Sequence, residues 1–308
     1  MSVVSIDWLG ALLAFAVLVA APLVFGSSYT LGVLTVALCY GIWAASWDFM
    51  SGLTGRENFG HSLFIGAGAY TAGFLNVNLG ADPWWSLLAA PVVAVLFSLI
   101  MGFPTLRLRG PYFALAMLSA AALMQNLTII FSVYTGGQDG LNGLSPILDS
   151  TLAYYYLTLA FLAASAVLLR LLANSSWGVI LRAIRGDEAT CEAAGINVTW
   201  YKIVSLMISA AVAGLGGALY AHYQLQVGPD LFAVLLSINI IIMVYVGGMG
   251  SIYGPIGGAI LLNVLTETLR GLSEYRLWVY TLVLMAILFF LPQGIIAPLW
   301  RRVRSVLA

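Results

Sequence analysis

Residues 84–103 read WWSLLAAPVVAVLFSLIMGF, a run without Asp, Glu, Lys or Arg, and its reading decides the fold. The hydrocarbon core of a bilayer is about 30 Å thick and a helix rises about 1.5 Å per residue, so about 20 apolar residues are enough to cross it. In that medium a helix satisfies its backbone polar groups within one segment, which a lone strand or loop cannot do. Comparable apolar runs lie on both sides: Trp8 to Phe25, Tyr29 to Trp47, Asn58 to Leu79, Pro111 to Val133, Leu152 to Ala173 and Ile203 to Val227. Three others are shorter or interrupted: Leu231 to Val246, Gly254 to Leu269, and Leu277 to about Leu299, which carries Pro292 and Gly294. The expectation is an all-α, polytopic bundle of about ten spans, or about eight if short segments re-enter the membrane.

Composition agrees. Of 308 residues, 62% are hydrophobic and 8% charged, more apolar surface than a water-soluble domain of this size can bury. Lys plus Arg and Asp plus Glu balance at 12 each, so there is no basic surface of the kind nucleic acid requires. Cys39 falls in an apolar run and Cys191 in a charged loop, at different depths, so no disulfide is expected. His61 and His222 stand on separate spans with no ligand spacing, so no metal site is expected. The first apolar run follows Asp7 rather than a basic segment, and Ala20-Ala21-Pro22 is a poor cleavage signal. It is read as a mature span.

Basic residues favour cytoplasmic loops. With an even number of crossings and both termini inside, Arg56, Arg107, Arg109, Arg170, Arg182, Arg185, Lys202, Arg301, Arg302 and Arg304 fall at the cytoplasmic face, leaving Arg270 and Arg276 outside. The outward loop from Tyr134 to Ser150 then holds Asp139 and Asp149 but no Lys or Arg.

One polar stretch, Asn174 to Tyr201, breaks the rhythm and reads as two short helices. Ser175 or Ser176 caps the first, which puts Val179, Ile180, Ala183 and Ile184 on one face and Arg182 and Arg185 elsewhere. Gly186 ends it, Asp187 accepts from the free amides of the second, Glu188 lies at that helix's positive end, and Gly195 supplies a left-handed stop. A helix so short is unstable alone, so something must hold it.

Glu192-Ala193-Ala194-Gly195, followed by Ser209-Ala210-Ala211-Val212-Ala213-Gly214, resembles the "EAA" loop of bacterial ABC importer permeases. Arg107-Leu-Arg-Gly-Pro-Tyr-Phe-Ala-Leu-Ala-Met-Leu118, Thr135-Gly-Gly-Gln-Asp-Gly-Leu141, Arg182-Ala-Ile-Arg-Gly-Asp-Glu188, Ala194-Gly-Ile-Asn-Val198 and Gly247-Gly-Met-Gly-Ser251 through Gly254-Pro255 resemble, in this order, the branched-chain amino-acid ABC transporter permease family. So does Gly60-His61-Ser62-Leu63-Phe64-Ile65-Gly66-Ala67-Gly68-Ala69-Tyr70. Arg56-Glu57-Asn58-Phe59 departs from it, standing where the family more often has small or apolar residues.

The resemblance implies one transmembrane permease domain over residues 1–308, with residues 174–201 as a cytoplasmic coupling loop. It implies a bacterial inner-membrane protein bearing the Arg-Gly-Pro-Tyr-Phe segment that pairs with a second, related permease. It also implies two ABC ATPases that bind ATP and magnesium, a periplasmic or extracellular substrate-binding protein, and lipid around the bundle. On this reading Arg182, Arg185, Asp187, Glu188, Glu192 and Gly195 are the ATPase-coupling residues, and Thr135, Gly136, Gly137, Gln138 and Asp139 form the binding-protein dock. Gly60, His61, Ser62, Gly66, Gly68 and Tyr70 are candidates for the translocation path. The alternative for the third span is close helix packing, the role expected for the Ala210, Gly214 and Ala218 row on the seventh.

Other classes find little support. The glycine-rich stretch Gly247 to Gly258 lacks the Gly-Lys-Ser/Thr of a phosphate loop and reads as a cytoplasmic turn, so no cofactor is expected on this chain. Intramembrane charges, the mark of ion-coupled transport, are scarce. Glu267 stands three residues before Arg270 at an outer helix end, where a hydrated pair fits better than a proton relay. Asp48 and Arg170 are placed near inner ends, within snorkelling reach of water. No catalytic constellation falls on one face, and nothing resembles a selectivity filter. A pore nearly free of fixed charge suits branched-chain or other small amino acids, and urea or short amides equally.

Overall fold

The computed structural model describes residues 3–106, 108 and 111–271, with side chains from residue 12, and isolated positions 281, 282, 285, 289 and 294 beyond. Arg107, Arg109, Gly110, Arg276, the body of the expected Leu277 to Leu299 span, and Arg301, Arg302 and Arg304 lie outside the described residues.

Helix α4 (Pro83–Thr105) shows how the sequence is spent. Ser86, Ala90, Ala94, Ser98, Gly102 and Thr105 are buried, while Trp85, Leu88, Val92, Leu96, Ile100 and Phe103 are exposed. Both sets recur at helical spacing. Apart from buried Leu87, small and polar residues face the protein and bulky apolar ones face outward, the reverse of a helix on a water-soluble protein. That inversion is stable only where the surroundings are apolar. Five described helices are long and apolar enough to cross a membrane: Ser28–Gly52, Pro83–Thr105, Tyr112–Ile130, Thr151–Asn174 and Val198–Gln224. The chain is therefore a multi-pass, mostly helical membrane protein.

In chain order the remaining elements are α1 (Val3–Val24), α2 (Ser28–Trp47) with a π-helical turn at Asp48–Gly52, α3 (Ser62–Gly73) with a second π turn at Phe74–Asn78, α5 (Tyr112–Ile130) and α6 (Ser132–Thr135). Then come β1 (Leu141–Asn142), α7 (Thr151–Asn174), α8 (Ser176–Gly186), α9 (Glu188–Ala193) and α10 (Val198–Gln224). The described chain closes with β2 (Gln226–Val227), a 3₁₀ turn at Pro229–Phe232, α11 (Val234–Gly247) and α12 (Tyr253–Thr268).

Helix α10 is the axis of the molecule, packing on α2, α3, α4, α7, α8 and α9. At about 1.5 Å per residue its 27 residues run about 40 Å. Close approach is what its small residues provide: a Cβ at Gly68 of α3 would collide with the backbone of Gly214, and one at Gly217 with the carbonyl of Ile65. Ala210, Gly214 and Ala218 are all buried there, as expected for a small-residue row. The third span differs from a single uninterrupted helix. Residues 55–58 are irregular and 59–61 form a turn, α3 follows without a break, and the π turn ends the segment. A satellite cluster of Ile184, Cys191 and Val198 lies beneath α8 and α9, separate from the main core that contains Cys39. Both cysteines are free.

Candidate functional site

Helices α8 and α9 occur where expected, but the buried face of α8 is shifted by about one residue. Gly178, Leu181 and Ile184 are buried, whereas Val179 and Ala183 are exposed. The shift accompanies a contact of Trp177 with Tyr201 on α10, ring centroids 4.3 Å apart and planes tilted by 40°, and helical spacing puts Trp177, Leu181 and Ile184 on one face. Ser175 is the N-cap residue of α8, yet its hydroxyl donates backward to the Leu172 carbonyl at 2.7 Å.

Asp187 caps α9, accepting from the amides of Ala189 at 3.0 Å and Thr190 at 3.2 Å and from the Thr190 hydroxyl at 2.6 Å. Those bonds, the Thr190 hydroxyl first, hold its carboxyl below the usual range. Gly195, at φ +82°, provides the left-handed stop, and the Ile196 amide closes on the Cys191 carbonyl at 3.1 Å.

Glu188 ties the pair to the bundle. One carboxylate oxygen accepts from Arg56 at 2.5 Å and the other from Lys202, whose side chain is only 1% exposed. Partial burial opposes the charge on Glu188, but the hydrogen bonds and charges of Lys202 and Arg56 outweigh it and lower its pKa. Arg185 reaches the other way, donating to the Gly52 carbonyl at 2.5 Å. Arg182 and Glu192 remain exposed. The six expected residues thus divide: Arg185, Asp187, Glu188 and Gly195 build and anchor the helix pair, while Arg182 and Glu192 face outward.

Sequence reasoning missed Arg56 and Lys202 as partners of Glu188, and it misplaced Asp48. Asp48 is fully buried, not within reach of water. Its carboxylate accepts from the amides of Gly250 at 2.5 Å and Ile252 at 2.9 Å, which satisfies a charge that is otherwise costly to bury. Arg170 lies with its guanidinium 5.6 Å from the Tyr253 ring centroid. Separations of 132 residues between Arg56 and Glu188 and 204 between Asp48 and Ile252 leave no local signal. The one available hint was the charged Arg56-Glu57 pair between two long apolar runs.

The far end of α10 holds the second expected surface. Thr135 donates to the carbonyls of Thr128 at 2.5 Å and Phe131 at 2.8 Å. Gly136, Gly137 and Gly140 all take positive φ, at +75°, +65° and +70°, while Gln138 and Asp139 are exposed. The loop then joins the bundle through β1, antiparallel to β2 with Leu141 opposite Val227. His222 fixes it from below, Nδ1 donating to the Ser145 carbonyl at 2.8 Å and Nε2 meeting the Ser86 hydroxyl at 2.6 Å.

The expected path residues on the third span are mostly packed. Gly60 abuts the Met117 backbone, Gly66 the Phe232 ring and Gly68 the Gly214 backbone. His61 Nε2 meets Ser46 at 3.0 Å. The Ser62 hydroxyl donates to the Phe232 carbonyl at 3.0 Å and accepts from Ser237 at 3.0 Å. Tyr70 stacks on Phe232 at 5.4 Å, and its buried hydroxyl has no partner among the described residues. Glu267 and Arg270 pair at 3.1 Å, with the Tyr29 hydroxyl donating to Glu267. Among the described residues no group of three His, Cys, Asp or Glu could hold a metal ion.

Residues 29–292 match the family described as branched-chain amino acid transport system, permease component. The high-affinity branched-chain amino acid transport system permease protein LivM of Escherichia coli K12 is 29% identical over 92% of this chain and 74% of its own length. The guanosine ABC transporter permease protein NupQ of Bacillus subtilis is 27% identical over 54% of this chain and 59% of its own. The LivH permease of the same E. coli system is 24% identical over 85% of this chain and 92% of its own. No solved structure matches the chain.

Proposed function

We propose, from the premise that this chain belongs to the branched-chain amino acid transport system permease family, a division of labour between the two ends of α10. The chain is a permease subunit of an ABC importer. As such it is not an enzyme by itself. The α8–α9 end faces the cytoplasm and is gripped by an ABC ATPase, which binds ATP and magnesium and hydrolyses the nucleotide. The Thr135–Asp139 end receives a substrate-binding protein on the other side of the inner membrane.

The observation that carries the reading is the helix pair itself, presenting Arg182 and Glu192 outward while Glu188 and Arg185 bind it to the bundle and Asp187 caps α9. Force applied to those exposed residues passes into α10 and the α2 terminus through hydrogen bonds rather than through a loose loop. The clustering of Arg56, Arg182, Arg185 and Lys202 at that end supports its cytoplasmic placement, and crossings by all ten expected apolar runs put the N- and C-termini on the same side. That E. coli has both LivM and LivH among the relatives supports pairing with a second, homologous permease, and two ATPases complete the assembly.

The cargo is a branched-chain or other small amino acid, in keeping with the LivM relative. The guanosine permease favours a second reading, a different neutral polar solute, and urea or a short amide belongs to that class. Vesicles reconstituted with the permease pair, the ATPases and the binding protein discriminate these from ion-coupled transport. Uptake of leucine that requires internal ATP and the binding protein supports the proposal. Uptake driven by an imposed proton or sodium gradient without ATP overturns it.

A further inference from the structure

The loop between α11 and α12 is strained, and the strain is held by a side chain from elsewhere in the chain. Ile252 sits at φ +62° and ψ −51°, and the Tyr253 amide bonds the Ser251 carbonyl at 2.8 Å. Together these define a γ-turn of the rare, strained hand, and at a β-branched residue, for which positive φ is least tolerated. Strain of this kind persists only where surrounding contacts over-determine it. Here they do. Asp48, on the π turn that ends α2, takes the amides of both Gly250 and Ile252. Gly294 packs against the backbone of Gly247 and Gly248, and Arg170 lies over the Tyr253 ring.

The same π turn is where α8 takes hold. Arg185 donates to the carbonyl of Gly52, and a Cβ added at Gly52 would collide with the Asp48 carboxylate. The stem of Arg185 also lies on Gly55, where a Cβ would come within 2.9 Å of its Cγ. A displacement of α8 therefore reaches the Asp48 carboxylate through one carbonyl and one turn of helix.

We propose that Asp48 is a positioning residue that latches the Ser251–Tyr253 turn, and that movement of α8, delivered through Arg185 and Gly52, releases the latch so that the turn relaxes and α11 and α12 shift relative to each other. The inference rests on the reading of α8–α9 as the ATPase-coupling surface. It adds the step by which coupling reaches the membrane helices, and a two-state element, the turn, that both partners bias.

The experiment is the ratio of leucine transported to ATP hydrolysed by the assembled transporter in proteoliposomes. Asp48→Asn keeps the shape but presents an amide N–H to one backbone N–H. It lowers the ratio at least tenfold while ATP hydrolysis continues. Ile252→Gly removes the strain that the latch holds, so this variant inserts but also lowers the ratio, and the double variant does no better than either single one. A merely structural Asp48 gives the opposite, because a glycine accommodates the positive φ and restores the lost ratio.

If Asp48→Asn retains the wild-type ratio, or the double variant recovers it, the latch is wrong. If the wild type itself shows no ATP-dependent uptake, the importer reading fails before the latch is reached. If Asp48→Asn does not insert, hydrogen exchange on the wild type decides. Amides 250–252 exchange at least tenfold faster with nucleotide trapped in the ATPases than without it, and equal rates overturn the proposal.

Discussion

The two ends of α10 are built from different materials. At the α8–α9 end, contacts between distant segments run through charge: Arg56 and Lys202 on Glu188, Arg185 on Gly52, Asp48 on Gly250 and Ile252. At the Thr135–Leu144 end they run chiefly through backbone: four positive-φ glycines, a two-residue ladder, and the Gly143 and Leu144 amides on the Leu225 carbonyl. Among the described residues each end has one non-glycine residue at positive φ, but they differ in kind. Leu225 at φ 57°, ψ 20° lies in the ordinary left-handed region and simply ends α10. Ile252 lies outside it and needs Asp48. The contrast fits the proposed roles: a surface that receives force from a motor has to be bonded to what it moves, whereas one that greets a transient partner needs only a fixed shape.

That contrast breaks most visibly at Glu188. Glu188→Ala leaves the Lys202 ammonium buried without its partner, a loss of about 3 kcal/mol. Trypsin cleavage after Arg182 and Arg185 should then accelerate on the order of a hundredfold, with cleavage elsewhere unchanged. Acceleration confined to neither site, or none at all, would detach the helix pair's stability from charge.

The complementary change is Gly140→Ala. Left-handed backbone at a residue with a Cβ costs about 1–2 kcal/mol, and the new methyl meets the Val227 carbonyl. The expected result is loss of binding-protein-dependent uptake while ATPase retention and the tryptic pattern at α8 stay as in the wild type.

Acid should separate the ends without mutation. Glu188 and Asp187 both titrate below their usual values in the folded chain. The stability they contribute is present above the unfolded value, about 4, and lost as pH falls through the lowered folded values. Between pH 8 and pH 5 the α8–α9 amides should therefore keep their exchange protection, and loss should begin only below about pH 4. Loss already at pH 6 would contradict the assignment of these carboxylates.

The smallest effect on the chain itself is expected at Glu192→Arg, an exposed change worth less than about 0.5 kcal/mol to stability. Insertion and melting should be unchanged while co-purification of the ATPase falls. Unaltered co-purification would remove Glu192 from the contact.

How far the sequence could be read follows from the range of each interaction. The apolar runs as far as Leu269, the two short helices, the Asp187 cap and the Gly195 stop depend on neighbours within a few residues, and the structure has helices, cap and stop there; the Leu277 to Leu299 run lies outside the described residues. Of the face expected on α8, Ile180 and Ile184 pack inward, while Val179 and Ala183 fit the periodicity but are exposed, and the contact of Trp177 with Tyr201 that accompanies this rotation is tertiary. Asp48 looked like a snorkelling charge because its partners are amides about 200 residues away, and backbone donors leave no mark in a sequence. The glycines of the third span were legible as special but not as to purpose; Gly66 and Gly68 serve Phe232 and Gly214 at close range.

The most direct measurement places a photo-cross-linking side chain at position 192, and in a second variant at position 139, in the assembled transporter within its native membrane. The account predicts that position 192 labels a cytoplasmic ATPase and position 139 a soluble binding protein, each excluding the other. Labelling of lipid alone from position 192, in membranes that still take up leucine at the expense of ATP, would contradict it.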